Sequence, residues 1–247
     1  MAGAAPILLE DSWSGVERVL VVTAHPDDVD FGLAASVALW TSHGVAVSYC
    51  VVTDGDAGGS DRSVSRAEMA RIRQGEQRAA AAEVGVDDVV FLGYPDGRLT
   101  SSIELRRDVS RQIRRLRPDR VVAQSPERFW DRLGASHPDH LAAGEAAVCA
   151  VYPDARNPFA HPELLEEGLE PFSVPELWLM AMPEASHVVD VTGTFDHKIA
   201  ALSRHASQIG DIAELEARVR SWHADNARRA GLPDGRLAEA FRIVQLF

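Results

Sequence analysis

Short apolar runs alternating with longer helical segments predict an α/β fold in which a mostly parallel sheet is flanked by helices. Two further features agree. The runs are continuously apolar, as in strands buried on both faces, and no second apolar cluster sets off another domain. The runs are Val19-Leu20-Val21-Val22, 45–52, Val89-Val90-Phe91-Leu92, Arg120-Val121-Val122-Ala123 and Leu177-Trp178-Leu179-Met180. Helices are expected between them near 31–43, 64–84, 101–116, 138–151 and 194–209, so the pattern is βαβαβαβ and the architecture doubly wound and Rossmann-like. The helix over 101–116 ends in Arg114, Arg115 and Arg117, cations suited to a helix C-terminus, with Pro118 as the breaker beyond. Segment 152–175, with five prolines and little periodicity, reads as a long loop near the C-terminal edge of the sheet. A charged amphipathic helix is expected over 211–231 and a last strand or packed terminus over 241–247. All of this makes one domain over 1–247, with a core at about 17–210 and a C-terminal helix and strand in 211–247. Trp40 and Trp178 read as core anchors.

Composition narrows the function classes. Hydrophobic residues at 46% and charged residues at 25% are the balance of a chain that buries a core, which excludes disorder. With 25 basic and 37 acidic residues the net charge is −12, and no Lys/Arg block offers the clustered positive charge that nucleic acid or an anionic membrane needs. No apolar stretch approaches the roughly 18 residues of a membrane span. The opening Met-Ala-Gly-Ala-Ala-Pro-Ile-Leu-Leu-Glu lacks the basic start of a signal peptide, so a cytoplasmic protein is expected. Assembly into a homo-oligomer is compatible with this composition. Cys50 and Cys149 read as small buried hydrophobes rather than a disulfide framework.

In open α/β sheets ligands bind beyond the carboxyl ends of the strands, which directs attention to four loops. They hold Ala24-His25-Pro26-Asp27-Asp28, Thr53-Asp54-Gly55-Asp56-Ala57-Gly58-Gly59, Gly93-Tyr94-Pro95-Asp96-Gly97 and Ser136-His137-Pro138-Asp139-His140. One His-Pro-Asp triplet is ordinarily a turn with a capping acid; two at strand ends of one sheet point to a metal. His25 and Asp28, three apart at a strand-to-helix turn, can face one point, and a histidine of the second triplet would complete a His/Asp/His set with an open position, as in catalytic zinc sites. Asp27 must point elsewhere and is placed to act as general base. Pro138 suits the first helical position, so His137 and His140 need not project alike: one can ligate while the other faces substrate. Asp139 falls in the first helical turn and could orient an imidazole. The glycines at 55–59 lack the pattern of a nucleotide-binding loop. By spacing alone, Arg73 and Glu76 read as a solvated helix face and Asp96-Gly97 as a turn. His43, His161, His187, His197, His205 and His223 read as surface or packing residues.

Ala24-His25-Pro26-Asp27-Asp28-Val29-Asp30-Phe31-Gly32 resembles the opening motif of the LmbE-like, or PIG-L, zinc deacetylases. Thr53-Asp54-Gly55, Arg73-x-x-Glu76, Leu92-Gly93-Tyr94-Pro95-Asp96-Gly97, Arg117-Pro118-Asp119, His137-Pro138-Asp139-His140, Lys198-x-x-Ala201-Leu202-x-x-His205-x-Ser207-Gln208 and Ala238-Glu239-Ala240-Phe241-Arg242 follow in the family's order. The resemblance implies a Rossmann-like fold and hydrolysis of an N-acetyl group from an N-acetylglucosamine conjugate, in thiol or natural-product biosynthesis. It implies zinc on His25, Asp28 and His140, with Asp27 as base. His137 would stabilise the oxyanion or help protonate the amine, with Asp139 behind it, and Arg73 and Asp96 would face substrate hydroxyls. Asp30 stands where the family usually has glutamate, and Leu33-Ala34-Ala35-Ser36 where it has small glycines and threonine, which predicts a narrower mouth beside the metal.

Two other readings compete. A non-haem iron oxygenase also uses two histidines and a carboxylate, but usually on a β-rich barrel with His-x-Asp spacing, whereas this chain has His-x-x-Asp on alternating strands and helices. A catalytically silent sugar- or metal-binding module would need neither Asp27 nor His137.

Overall fold

The computed structural model describes residues 5–246; the first four residues and Phe247, which the expectations for the two termini include, lie outside the described residues. Eight strands form one sheet: β1 (Ile7–Leu9), β2 (Arg18–Thr23), β3 (Ala46–Thr53), β4 (Asp88–Tyr94), β5 (Arg120–Gln124), β6 (Glu176–Met180), β7 (His187–Asp190) and β8 (Ala238–Gln245). Their spatial order is β1-β7-β8-β6-β5-β2-β3-β4. All neighbours pair in parallel except β8, which runs antiparallel to β6 and β7. The helices are α1 (Asp28–Ser42), α2 (Arg66–Glu83), α3 (Ile103–Leu116), α4 (Pro138–Cys149), α5 (Pro162–Glu166), α6 (Phe195–Leu202) and α7 (Ile212–Arg229). Among the described residues no helix is long and apolar enough to cross a membrane.

Because side chains alternate across a strand, each apolar run feeds two cores. Val19 and Val21 of β2 join Leu33, Val37 and Trp40 of α1, Ala80 of α2, Leu202 of α6 and Val219 of α7. Leu20 and Val22 turn the other way, toward Leu105, Val109 and Ile113 of α3 and Ala143 and Ala147 of α4. Hence the layers are those of the expected α/β fold. Trp40 and Trp178 meet edge to face at 5.7 Å. Cys50 is buried and Cys149 half-buried.

Four local expectations change. The helix expected over 194–209 stops at Leu202, and the chain beyond it runs in turns because Glu76 of α2 accepts both the Ser207 N–H and its hydroxyl at 2.7 Å. Strands β1 and β7, too short to leave an apolar run, pair with each other from Ile7 to Leu9. The last strand begins at Ala238 rather than 241 and inserts between β6 and β7. Segment 152–175 lies along α3 instead of the sheet's C-terminal edge. Arg114 donates to the carbonyls of Asp154, Ala155, Asn157, Ala160 and Leu169, and Arg106 pairs with Asp154 at 2.7 Å.

The helix that follows β2 is broken. Leu33 has φ −152° and ψ 16°, so α1 is two pieces, and the freed N–H groups of Ala35 and Ser36 donate to the Glu239 carboxylate at 3.3 and 2.8 Å. Lys198 donates to the same carboxylate at 2.7 Å and to the Phe31 carbonyl at 2.8 Å. Burial would raise the Glu239 carboxyl, but the Lys198 ammonium, followed by His223, overrides it and holds it at about 2.

Strand β2 sits between β3 and β5, and the chain leaves toward opposite sides of the sheet on either side of it. This is the topological switch point, where the loops after β2 and β5 splay apart and open a crevice.

Candidate active site

The loop after β2 supplies His25, Asp27 and Asp28; the loop after β5, through the 3₁₀ segment Trp130–Ser136, supplies His137, Asp139 and His140. Glycine brings the second loop close. A Cβ on Gly144 of α4 would lie 2.4 Å from the Gln124 carbonyl oxygen at the end of β5, so only glycine lets α4 approach that strand. Gln124 in turn accepts the Ala24 N–H at 2.9 Å, tying the two loops together.

Three side chains converge. His25 Nδ1 lies 3.3 Å from Asp28 Oδ2 and 3.2 Å from His140 Nε2, and His140 Nε2 lies 3.0 Å from Asp28 Oδ1. Donors about 2.0 Å from a tetrahedrally bound ion stand about 3.3 Å apart, so these side chains fit a metal such as zinc without rearrangement. Nitrogens of His25, His137 and His140 also lie within 4.8 Å of one another, but the tighter triangle contains Asp28 in place of His137. The charge around it agrees. Asp28, Asp96 and Asp139 all approach His25 within 3.3 Å, and although burial lowers its pKa, the hydrogen bonds and charges of Asp28 and Asp96 carry it to about 11. That surplus of negative charge suits a cation.

Asp139 is almost wholly buried. Its carboxylate accepts the N–H groups of Gly97 at 2.7 Å and Leu99 at 3.2 Å and meets His25 Nε2 at 3.2 Å. It therefore stands behind His25, not behind His137, and fixes the ring whose other nitrogen faces the donor triangle. What His137 meets is the Asp139 backbone: its Nδ1 accepts that N–H at 3.2 Å, capping α4. Desolvation, then the neighbouring His25 and His140, lower the His137 pKa.

Asp27 takes φ 93° as N-cap of α1, a left-handed conformation in which Asp and Asn are the least strained side chains after glycine. Its N–H donates to Gln77 Oε1 at 2.7 Å, and Arg73 Nη2 donates to its Oδ2 at 3.1 Å. Burial, then the Asp28 charge, raise its carboxyl to about 7 against the pull of Arg73; a cation in the donor triangle would act in the lowering direction.

Arg73 corrects an expectation. Rather than opening to a substrate hydroxyl, it is 4% exposed, with Nη groups on the carbonyls of Gly55 at 3.0 Å and Pro26 at 2.6 Å and on Asp27; Asp96 Oδ2 lies 3.6 Å away. It is an internal strut between three strand-end loops. Asp96 is 9% exposed, between Arg73 and His25. Nor do the residues after the first motif narrow the mouth. Leu33 to Ser36 are fully buried, and Asp30 faces His205 at 2.7 Å and Gln77 at 2.9 Å. The mouth is bordered instead by Phe31, Gly32 and Met180.

Gln77 escaped the sequence reading. Its signal is a stripe at helical spacing on α2, Met69, Ala70, Arg73, Gln77, Ala80 and Ala81, in which two polar residues occupy core positions. His205, read as a packing residue, is buried in the same chain of hydrogen bonds.

A donor triangle open to a cavity, with a separate carboxylate next to it, suits the chemistry of a metal-dependent hydrolase. The chain belongs to the PIG-L family: residues 20–151 match the family described as GlcNAc-PI de-N-acetylase, in agreement with the resemblance in its motifs. It is 30% identical over 238 residues to the diacetylchitobiose deacetylase of Thermococcus kodakarensis, covering 96% of this chain and 86% of that one. It is 30% identical over 214 residues to a Bacillus cereus protein named "probable N-acetyl-alpha-D-glucosaminyl L-malate deacetylase 2", covering 84% and 88%. The structure of N,N′-diacetylchitobiose deacetylase from Pyrococcus horikoshii superposes with a TM-score of 0.88 at 31% identity, over 96% of this chain and 87% of that one.

Proposed function

We propose that the protein is a metal-dependent amidohydrolase that removes the N-acetyl group from an N-acetylglucosamine unit of a small-molecule conjugate. The observation that carries this reading is the 3.0–3.3 Å triangle of His25, Asp28 and His140 beside the Asp27 carboxylate, which Arg73 holds apart from it. Family membership and the relatives' N-acetylated amino sugars support the substrate class.

A divalent ion on His25, Asp28 and His140, zinc in this reading, would supply Lewis acidity toward the amide carbonyl and acidify water. Asp27 accepts a proton from the attacking water at a carboxylate oxygen as the new C–O bond forms. Because His137 Nδ1 accepts a backbone N–H, its neutral ring carries the proton on Nε2, and that N–H donates to the oxygen that gains charge as the carbonyl becomes tetrahedral. Asp27 then passes its proton to the amide nitrogen, the C–N bond breaks, and acetate and a free amine leave. Asp139 acts through His25, and Arg73 through Asp27. Asp96, next to His25, is the residue this reading assigns to the sugar hydroxyls. The reading includes a cytoplasmic setting, with which the free thiols Cys50 and Cys149 agree.

The test is acetate release from a series of N-acetylglucosaminyl conjugates by the zinc-loaded protein. Acetate and primary amine are expected in equal amounts. No acetate from any of them, with the metal bound, overturns the proposal.

A further inference from the structure

The donor triangle opens into a cavity of about 570 Å³ whose wall includes Asp28 and His140 at one end and one face of α7 at the other. That face is built from Arg218, Trp222, Asn226 and Arg229, spaced four, four and three residues apart on one helical stripe. Across from it the loop after β5 contributes Arg132, whose guanidinium carbon lies 4.0 Å from the Trp222 ring centre, while that of Arg218 lies 5.6 Å from the same ring. Two guanidinium groups thus share one indole.

In a chain of net charge −12, most arginines are engaged by carboxylates or carbonyls, yet among the described residues the guanidinium groups of Arg132, Arg218 and Arg229 have neither an ion pair nor a hydrogen bond. The acids in the wall of the cavity do not serve them. Asp28 belongs to the donor triangle, and Glu239 is buried against Lys198 at 2.7 Å. Nearby acids have other partners: Asp225 pairs with Arg228 at 2.8 Å and Glu127 with Arg242 at 3.1 Å. Glu184 borders the adjoining groove, not this cavity. Desolvation, then the charge of Arg218, lower the Arg132 pKa, which an anion placed between the two would reverse.

We infer that the group attached to the amino sugar carries an oxyanion, carboxylate or phosphate, which Arg132 and Arg218 bind against Trp222, with Arg229 further along the cavity. This inference rests on the deacetylase reading for the sugar and adds the charge of its conjugate. Planar guanidinium groups match the geometry of both anions, and the indole, lying under both cations, limits their motion before the anion arrives. A neutral conjugate would leave like charges facing each other across the cavity.

The test compares three ligands of similar size: an N-acetylglucosaminide of a hydroxy acid, N-acetylglucosamine 1-phosphate, and the neutral methyl glycoside. Dissociation constants are measured by calorimetry on zinc-loaded Asp27→Asn protein, with acetate release followed separately on the parent enzyme. At least one anionic ligand should bind about tenfold or more tighter than the neutral one, with the difference shrinking as salt is added. Arg132→Ala and Arg218→Ala should each weaken the anionic ligand more than the neutral one. Whichever anion keeps the advantage identifies carboxylate or phosphate as the source. Equal affinity for all three, or equal losses in the variants, overturns the inference. Acetate release fails independently: anion-selective binding without acetate from any ligand sinks the deacetylase reading and leaves the anion site standing.

Discussion

Asp27 and Asp28 are consecutive residues whose carboxylates face different partners: Asp28 lies within 3.3 Å of His25 and His140, while Asp27 is held at 3.1 Å by Arg73. The left-handed backbone at Asp27 separates them, and a residue at φ 93° stores strain on the order of 1–3 kcal/mol. Two acids side by side in a regular helix would diverge by about 100° around its axis. Placing the turn at the helix start lets both remain at the crevice.

Asp28→Ala and His140→Ala are each expected to lose metal and activity together, because two remaining donors hold an ion poorly against water. Elemental analysis of the purified variants checks this. Full occupancy in either would remove that residue from the ligand set.

Asp27→Asn keeps the shape and tolerates the positive φ, but cannot accept the proton. The rate constant should fall by roughly a hundredfold or more while the metal content stays near that of the parent. Parent-like turnover of the best substrate would show that another group is the base. His137→Ala should likewise keep metal and lose rate more than substrate affinity, read from kcat against KM.

Two glycine substitutions should move stability in opposite directions. Gly144→Ala forces a methyl to within 2.4 Å of the Gln124 carbonyl oxygen and pushes α4 off β5, at an expected cost of about 1–3 kcal/mol in urea unfolding. Gly75→Ala, exposed in the interior of α2 with nothing within 4 Å, should stabilise by roughly 0.5–1 kcal/mol. If both lowered stability alike, the close approach at Gly144 would not be what limits that site.

Glu239 ties acid stability to the core. Its carboxyl takes up a proton at about 2 when folded and near 4.5 ordinarily, so between these values the unfolded chain binds more protons and acid favours unfolding. Its contribution is complete above about 4.5 and is lost as pH falls through about 2. Glu239→Gln should lower stability at neutral pH, by leaving Lys198 against an uncharged partner, and should flatten the dependence across that acid window. Denaturant midpoints against pH for both proteins decide it, and an unchanged slope would count against the buried pair.

The central strands were legible because β2, β3, β5 and β6 are buried on both faces and leave apolar runs, and the site loops because they follow those strands. Strands β1 and β7 were not, since three or four residues leave too short a pattern. The two triplets brought His25 and Asp28 to notice by spacing and left His137 and His140 undivided; the resemblance assigned their separate roles, and the structure adds that His137 caps α4. Arg73 resisted both approaches. Spacing read it as solvent-facing and the resemblance as a sugar contact, and only the packing of α2 against the loops at Pro26 and Gly55 reveals a buried strut. Lys198, His205 and Glu239, separated by tens of residues, have meaning only once α6 and β8 are folded onto α1.

The insertion of β8 between β6 and β7 also sets an order in time. While the chain emerges from a ribosome, β2 through β6 can pair among themselves, but β7 and β1 have only each other until residues 238–245 arrive. Until then the Ala35 and Ser36 N–H groups at the break in α1 lack their acceptor, and Lys198 has no anion beside it. The helix that begins with Asp28 is thus clasped by the last strand among the described residues. A nascent chain stalled before that strand should bind metal poorly and be open to proteolysis along α1, so hydrolytic competence is withheld until residues 238–245 have been made.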